Sequence, residues 1–297
     1  MIENILAIIV LYKQKLSNSV TFIKLENALN VFDNKRLDIF VYDNSPQEFE
    51  QDTISFSTEK FNIKYERNIS NAGVSLAYNK GAEYARSLGK KWLLLLDQDS
   101  ELPTNYLDTF LAYVEKYKTP IVYVPKIEVN NKIISPARVT NSGLVRFLKS
   151  NELTKDLHFD ISALNTGVFI STDFIHKIGG FSPKYPLDML DHWLFKIISQ
   201  FNETVVLLPI TMRHDLSVLS KGGVSNERYG SILNAEKIFL QEFGSVGNII
   251  VYKLRLLRRF LLLLLNGNKN QACMCLRYIS HINQKDNDKK IGERCST

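Results

Sequence analysis

The sequence predicts an α/β fold whose central sheet is mostly parallel and flanked by helices. Strand-like runs alternate with segments of helical spacing up to about residue 210. The strand-like runs are continuously apolar, as in strands that are covered on both faces. From about residue 226 onward the pattern is only helical. We therefore expect one α/β domain over residues 1–225 and a helical extension over residues 226–297.

The first hundred residues supply the clearest elements. Apolar runs predict four strands, at Ile5–Tyr12, Leu37–Tyr42, Phe61–Tyr65 and Trp92–Leu96. Apolar residues at helical intervals predict a helix over residues 73–88, and Gly89 follows at the position of a C-terminal cap. The second and fourth strands end abruptly in polar residues, at Asp43 and Asp97.

Composition excludes several classes of protein. The chain has 297 residues, of which 45% are hydrophobic and 23% charged, as in an ordinary globular protein. No apolar run approaches the roughly 18 residues that a membrane-spanning helix needs. Glu3 stands where a signal peptide carries positive charge, so we expect a cytoplasmic protein. The three cysteines (Cys273, Cys275 and Cys295) are too few for a disulfide framework.

The net charge of +6 is concentrated at one end of the chain. Residues 249–297 carry ten basic and three acidic side chains, which leaves 27 basic against 28 acidic in the rest. A nucleic-acid-binding domain would carry its own basic stripe. The neutral body therefore argues against nucleic acid as a partner.

Three polar clusters stand at predicted strand ends: Asp43-Asn44, Asp97-Gln98-Asp99 and Arg213-His214-Asp215. Ligands of such sheets bind beyond the carboxyl ends of the strands, although Asp and Asn are also ordinary turn residues. Two carboxylates two residues apart repel each other unless a cation lies between them. Carboxylate oxygens suit Mg²⁺ or Mn²⁺, so we expect Asp97 and Asp99 to hold such an ion together with a diphosphate.

Three motifs in this order resemble the family 2 glycosyltransferases: VYDNS at 41–45, N-x-x-N-x-G-V-x-x-A-x-N-x-G at 68–81 and LLLLDQDS at 93–100. The resemblance implies an inverting, nucleotide-sugar-dependent enzyme with the GT-A fold. It divides the expected catalytic domain into a nucleotide-sugar half at about 1–100 and an acceptor half at about 101–225. Within the family, the motifs are most similar to bacterial dTDP-rhamnosyltransferases of O-antigen and capsule synthesis.

The resemblance implies roles on the donor side. Asp43 matches the acid that hydrogen-bonds the nucleobase, and Asn71 and Gly73 match the loop that passes close to the nucleotide. A glycine there permits backbone approach that a Cβ would block. Asn79 and Gly81 fit the following helix, where tight packing of helix on sheet is the favoured interpretation.

The same resemblance implies a metal site and a phosphate clamp. Asp97 and Asp99 match the DxD-type motif, with Asp99 as the direct ligand of Mg²⁺ or Mn²⁺. His214 matches a histidine that approaches the metal or the diphosphate, although a solvent-exposed turn histidine is an alternative. Arg228, just after the Gly222-Gly223 loop, is expected to hold phosphate when that loop closes.

The resemblance implies that the segment 188–193 carries the catalytic base, which removes a proton from the acceptor. Asp191 stands at the position of the base, and Asp188 lies one helical turn earlier. Leu190 and Trp193 replace acidic residues that are usual in the family, so both aspartates stay candidates for the base. Asp188 is alternatively an N-cap for a helix over residues 189–199.

These expectations describe a transferase that moves a sugar to a glycan or lipid-linked saccharide, with L-rhamnose from dTDP-L-rhamnose as the first choice of donor. Another nucleotide sugar is the first alternative. A nucleotidyltransferase is disfavoured because LYKQKLSNS, after the first strand, lacks a glycine-rich phosphate loop. A non-catalytic sugar-nucleotide-binding module is disfavoured by the intact acidic set.

The C-terminal extension has a second predicted role. Leu254, Leu257, Leu261 and Leu264 recur at helical spacing, and the pattern places Arg255, Arg258 and Arg259 together on another face. Such a helix suits the interface of an anionic membrane, here the inner face of the cell membrane. The alternative is a core helix with solvated arginines.

Overall fold

The computed structural model describes residues 1–52, 58–154, 156–157, 161–213 and 224–281. The chain divides into two compact units. Unit 1 comprises residues 1–140 and 144–223, and unit 2 comprises residues 141–143 and 224–297.

Unit 1 contains twelve strands and five helices in its described residues. The strands are β1 (Ile5–Leu11), β2 (Leu37–Asp43), β3 (Phe61–Arg67), β4 (Trp92–Asp97), β5 (Val122–Val129), β6 (Lys132–Ser135), β7 (Ala137–Val139), β8 (Val145–Phe147), β9 (Asp156–Leu157), β10 (Ile161–Ser162), β11 (Val168–Ser171) and β12 (Val205–Arg213). The helices are α1 (Val20–Ala28), α2 (Val74–Ser87), α3 (Tyr106–Lys116), α4 (Thr172–Lys177) and α5 (Leu190–Gln200).

Nine of the strands form one sheet in the order β3-β2-β1-β4-β11-β5-β12-β9, with β6 pairing with β5 at its side. The strands β3, β2, β1 and β4 are parallel to one another, and β5 and β12 share their direction. Strand β11 runs antiparallel between β4 and β5. A second sheet has the order β10-β7-β8. The predicted α/β fold with a mostly parallel sheet flanked by helices is confirmed.

Helices cover both faces of this sheet, as the continuously apolar strands predict. All seven residues of β1 are buried. Alternate residues of β1, such as Ile5 and Ile9, join the cluster that contains Leu25 of α1 and Phe110 of α3. On the opposite face, a Cβ at Gly81 of α2 would stand 2.4 Å from a methyl carbon of Ile8. The favoured interpretation of Gly81, close packing of helix on sheet, therefore holds.

Unit 2 is helical throughout its described residues from 226 onward, with α6 (Asn226–Phe243), α7 (Val246–Leu265) and α8 (Lys269–His281). Its buried apolar cluster comprises Leu233, Leu240, Tyr252, Leu256 and Cys275. Within the part of the chain that the structure describes, no helix is long and apolar enough to cross a lipid bilayer.

A partly buried ion pair joins two helices of unit 2. Arg259 of α7 donates two hydrogen bonds, of 2.7 and 2.8 Å, to the carboxylate of Glu236 on α6. The hydroxyl of Tyr252 donates to the same carboxylate at 2.9 Å. Arg255 donates to the carbonyl oxygen of Ser142. The prediction that Arg255, Arg258 and Arg259 together face an anionic membrane is therefore wrong for Arg255 and Arg259, since internal acceptors hold them. The alternative of solvated arginines is wrong for the same two residues.

Candidate active site

The carboxyl ends of β1, β2 and β4 bring two predicted aspartates to one edge of the sheet. In the strand register, Asp43 on β2 lies beside Leu11, and Asp97 on β4 lies beside Val10. Both neighbours belong to β1, which separates the two aspartates. The nucleobase and metal positions implied by the sequence thus lie along one edge of unit 1.

The turn that follows β4 is fixed by hydrogen bonds from distant parts of the chain. The Ser19 hydroxyl, at the N-cap of α1, donates to the carbonyl oxygen of Gln98 at 2.8 Å. The N–H of Ser100 donates to the Thr21 hydroxyl at 2.7 Å. From the acceptor half, the Thr166 hydroxyl accepts from the N–H of Asp97 at 3.1 Å. The carboxylates of this turn therefore stand on a rigid support.

Asp99 lines a cavity of about 140 Å³ at this edge. Glu101, Glu128 and Arg213 also line it, together with Asn130 and Asn131. The N–H of Glu101 donates to the carbonyl oxygen of Arg213 at 3.1 Å, which brings the end of β12 beside the turn. Sequence reasoning missed Glu128 and the two asparagines, because nothing in their spacing marks them.

The donor set at the turn suits a divalent cation, although its ligand shell is incomplete. Among the residues that the structure describes, no group of three or more His, Cys, Asp and Glu side chains is placed to hold a metal ion. The predicted ligand His214 lies outside the described residues. Mg²⁺ is commonly bound by one or two carboxylates plus substrate phosphates and waters. Asp97 and Asp99 fit that chemistry, and their metal role stays a prediction.

Asp43 is fully buried and accepts three hydrogen bonds. The donors are the N–H of Ser45 at 2.9 Å, the Tyr65 hydroxyl at 2.7 Å and the Gln51 amide at 3.1 Å. Burial acts to raise the pKa of Asp43, but the hydrogen bonds from Ser45, Tyr65 and Gln51 outweigh it and hold the pKa below its usual value. The carboxylate is therefore ionised at neutral pH. Its contact with a nucleobase stays a prediction.

The loop before α2 shows why residue 73 is glycine. Gly73 has φ +93° and ψ −179°, a region that is essentially reserved for glycine. A Cβ there would stand 2.4 Å from the carbonyl oxygen of Pro186. That oxygen accepts hydrogen bonds from the N–H groups of Val74 at 2.6 Å and Ser75 at 3.2 Å. The close approach in this structure is thus to Pro186, and the predicted approach to a nucleotide stays a prediction.

Asn71 of the loop faces solvent, whereas Asn79 of the helix makes structural hydrogen bonds. Asn71 is exposed with φ +49°, so its side chain is accessible to a ligand. The Asn79 side chain accepts from the N–H of Phe181 at 2.7 Å and donates to its carbonyl oxygen at 2.8 Å. Asn79 therefore anchors the Gly-Gly-Phe turn of the acceptor half, which is a structural role.

The candidate bases lie just beyond the Pro186 contact. Asp191 is in the first turn of α5 and is 19% exposed. Its carboxylate accepts from the N–H of His192 at 2.8 Å, and the His192 ring is hydrogen-bonded to the Ser162 hydroxyl at 2.6 Å. The helix begins at Leu190 with Met189 as its N-cap. The alternative that Asp188 is the N-cap is therefore wrong, and Asp188 remains half-buried beside the helix start.

A buried tyrosine connects the two halves of unit 1. Tyr78 of α2 is fully buried, and its hydroxyl finds no hydrogen-bond partner among the described residues. Burial raises the pKa of Tyr78 well above its usual value, and the negative charges of Asp97 and Asp191 raise it further. The charges of both carboxylates therefore act on one side chain, although they come from opposite halves. Sequence reasoning treated Tyr78 only as an apolar position of the helix.

The last predicted donor-binding residue belongs to unit 2. Arg228 lies in the first turn of α6, where its N–H donates to the Ser225 hydroxyl at 3.2 Å. The Gly222-Gly223 loop before it lies outside the described residues. Its role as a phosphate clamp stays a prediction.

Comparison with known proteins identifies the domain that carries this site. Residues 24–169 match the model of the family described as glycosyl transferase family 2. Just under half of the chain is therefore similar to the family 2 glycosyltransferases. No curated protein matches the sequence. The matched segment includes the three motifs at 41–45, 68–81 and 93–100, whereas the candidate bases Asp188 and Asp191 lie beyond it.

The chain is similar to solved structures at low sequence identity. The chain is similar to S. aureus TarS, with a TM-score of 0.51 and 14% identity over 92% of this chain and 55% of that chain. It is also similar to S. aureus TarS 1–349 in complex with UDP-GlcNAc, with a TM-score of 0.49 and 15% identity over 86% of this chain and 72% of that chain. The chain thus spans about half the length of the longer TarS chain.

Proposed function

We propose that the protein is an inverting, metal-dependent glycosyltransferase. The observation that carries the proposal is the convergence of acidic residues within one unit that contains the segment similar to the family 2 glycosyltransferases. Asp43 and Asp97 end neighbouring strands at one edge of the sheet. The charges of Asp97 and Asp191 both act to raise the pKa of Tyr78, which supports a base and a metal-binding turn that serve one site.

The turn after β4 would hold Mg²⁺ or Mn²⁺ through the carboxylates of Asp97 and Asp99. When bound, the cation neutralises the negative charge that develops on the departing diphosphate. The Ser19 hydroxyl donates to this turn and the Thr21 and Thr166 hydroxyls accept from it, which fixes its backbone before any ligand arrives. Such preorganisation keeps the carboxylates in place while the charge develops.

Asp191 is the proposed base that removes the proton from the acceptor hydroxyl, and Asp188 is the second candidate. Asp191 is partly exposed, so an acceptor can reach it. The N–H of His192 donates to one of its oxygens, which orients the carboxylate. A single displacement from the face opposite the leaving group inverts the anomeric carbon and requires no enzyme nucleophile.

The finer parts of the proposal rest on the sequence motifs. We take L-rhamnose from dTDP-L-rhamnose as the first donor, another nucleotide sugar as the alternative, and a saccharide or lipid-linked saccharide of bacterial surface polysaccharides as the acceptor. Asp43, Asn71, Gly73, Asp97 and Arg228 are the proposed donor-binding residues. A lipid-linked acceptor agrees with peripheral association at the inner face of the cell membrane.

A thermal-shift screen of nucleoside diphosphates with and without Mn²⁺ tests the donor site. We expect one diphosphate, dTDP first among them, to raise Tm only when Mn²⁺ is present. The shift should vanish in Asp99→Asn and persist in Asp108→Asn, which changes an exposed aspartate on α3. A hydrolysis assay with the matching nucleotide sugar then separates an enzyme from a binding module. Stabilisation by nucleoside triphosphates alone would instead favour a nucleotidyltransferase.

A further inference from the structure

Helix α7 carries a broad apolar face that is exposed. Nine of the 21 large hydrophobic side chains that are exposed in the described residues lie on this helix of 20 residues. We call them the outer face: Val246, Ile250, Val251, Leu254, Leu257, Leu261, Leu262, Leu264 and Leu265. Large contiguous apolar patches of this kind are rare on soluble proteins and mark sites of interaction.

The outer face is not needed for packing within unit 2. The other side of α7 supplies Tyr252 and Leu256 to the buried cluster, and Ile249, Phe260 and Leu263 pack against it. Successive residues of a helix are separated by about 100°, so the outer face spans an arc of roughly 160°. A coiled-coil seam is a much narrower stripe. The width of the outer face therefore suits a continuous apolar medium better than one partner helix.

The charges beside the outer face have one sign. Residues 244–281 contain no Asp or Glu, and α7 has four basic residues. Two of these, Arg255 and Arg259, are held by Ser142 and Glu236 inside unit 2. At about 100° per residue, Arg258 falls inside the apolar arc and Lys253 at its edge. Arg258 is exposed, so positive charge and apolar surface are presented together.

We propose that the outer face of α7 docks on the surface of an anionic lipid bilayer, with the helix lying in the interface. Leucines on the face would enter the acyl boundary, while Lys253 and Arg258 would contact anionic headgroups. A second copy of the chain is disfavoured, because its own outer face would bring further positive charge, from Lys253 and Arg258, to the same contact. Docking would bring the active site to a lipid-linked acceptor, and this benefit of docking is the one part of the proposal that rests on the proposed function.

Sedimentation with lipid vesicles tests the docking face on the full chain. We expect binding to vesicles that contain phosphatidylglycerol at low salt and at least tenfold weaker binding to pure phosphatidylcholine. In about 0.5 M salt, where the screening length is roughly 4 Å, the binding to anionic vesicles should fall by about tenfold. The vesicle binding that remains at that salt concentration would measure the contribution of the apolar side chains.

Matched variants locate the contact. The double variant Leu257→Gln and Leu261→Gln should lose at least tenfold in vesicle affinity, and Arg258→Glu should lose roughly tenfold. Leu88→Gln serves as the apolar control, because Leu88 and Leu257 are both 44% exposed. Lys24→Glu serves as the charge control on an exposed position of α1. Each variant should keep the Tm of the unaltered protein to within a few degrees, since the changed side chains are exposed.

Three outcomes would overturn the proposal. The first is that the unaltered protein does not sediment with anionic vesicles at low salt. The second is that the α7 variants and their controls bind equally well, and the third is that the protein forms a dimer, dissociated by the leucine variants, and binds no vesicles. Transfer to a soluble acceptor, assayed without vesicles, is a separate readout. A protein that docks but does not transfer contradicts the proposed function alone, and one that transfers but does not dock contradicts the docking face alone.

Discussion

The substitution Gly73→Ala tests the contact that joins the two halves of unit 1. An alanine forced into the conformation of Gly73 costs about 1–3 kcal/mol in backbone strain. Its Cβ would lie 2.4 Å from the Pro186 oxygen, so the two segments must separate by several tenths of an ångström. Separation weakens the hydrogen bonds from Val74 and Ser75, each worth about 1 kcal/mol. We therefore expect a total loss of about 3–5 kcal/mol.

Gly89→Ala provides the matched control. Gly89 also has a positive φ, of +67°, but nothing lies within 4 Å of the position of its Cβ. The control should lose only about 1–2 kcal/mol. In a domain of this size 1 kcal/mol lowers Tm by roughly 2–4 °C, so the difference of about 1–4 kcal/mol should make Gly73→Ala melt at least about 2 °C below the control.

The same pair of variants has a functional readout. The segment after Pro186 carries Asp188 and Asp191, so its displacement should lower kcat for transfer. The KM for the donor should rise as well, because Gly73 is a proposed donor-binding residue. Calorimetry and a transfer assay on both variants give the two measurements. Equal Tm values, or full transfer activity in Gly73→Ala, would refute the view that this contact positions the candidate bases.

Three further variants test the site and the helical unit. Asp99→Ala should lower transfer by at least about 100-fold, and excess chelator should have the same effect on the unaltered enzyme; full turnover in chelator would exclude the metal role. Asp191→Asn should lower kcat by roughly 100-fold or more with nearly unchanged donor affinity, and an inactive Asp188→Asn beside an active Asp191→Asn would exchange their roles. Arg259→Leu should lower the free energy of unfolding by about 2–3 kcal/mol, because it leaves a buried carboxylate without its charged partner. Arg258→Leu, the exposed control, should change it by less than about 0.5 kcal/mol in urea titrations.

Apolar patterning was sufficient to predict the elements that carry the donor side of the site. The strands predicted at Leu37–Tyr42 and Trp92–Leu96 occur at Leu37–Asp43 and Trp92–Asp97. The helix predicted over 73–88 occurs at Val74–Ser87. Long buried strands need an uninterrupted apolar run, and the polar residue that stops each run marks the edge of the sheet. That is why Asp43 and Asp97 were placed correctly at strand ends.

Contacts between distant segments could not be predicted from the sequence. Periodicity predicts a strand but not its direction, so the antiparallel course of β11 had no signal. The glycine at 73 signalled a close approach, but the partner turned out to be the Pro186 carbonyl. Arg259 looked like a surface cation because its acceptor, Glu236, lies 23 residues earlier on another helix. In each case the missing information is which segment the fold places opposite the residue.

The reversed direction of β11 makes the two halves of unit 1 inseparable. Because β11 is antiparallel to β4, its amino end lies where β4 finishes, and Thr166 there holds the N–H of Asp97. A fragment ending at residue 100 would keep Asp43, Asp97 and Asp99 but lose Thr166 and expose the apolar edge of β4, which invites aggregation. A chimaera that exchanges residues 1–100 with a similar protein therefore has to carry the matching 165–171 segment with it.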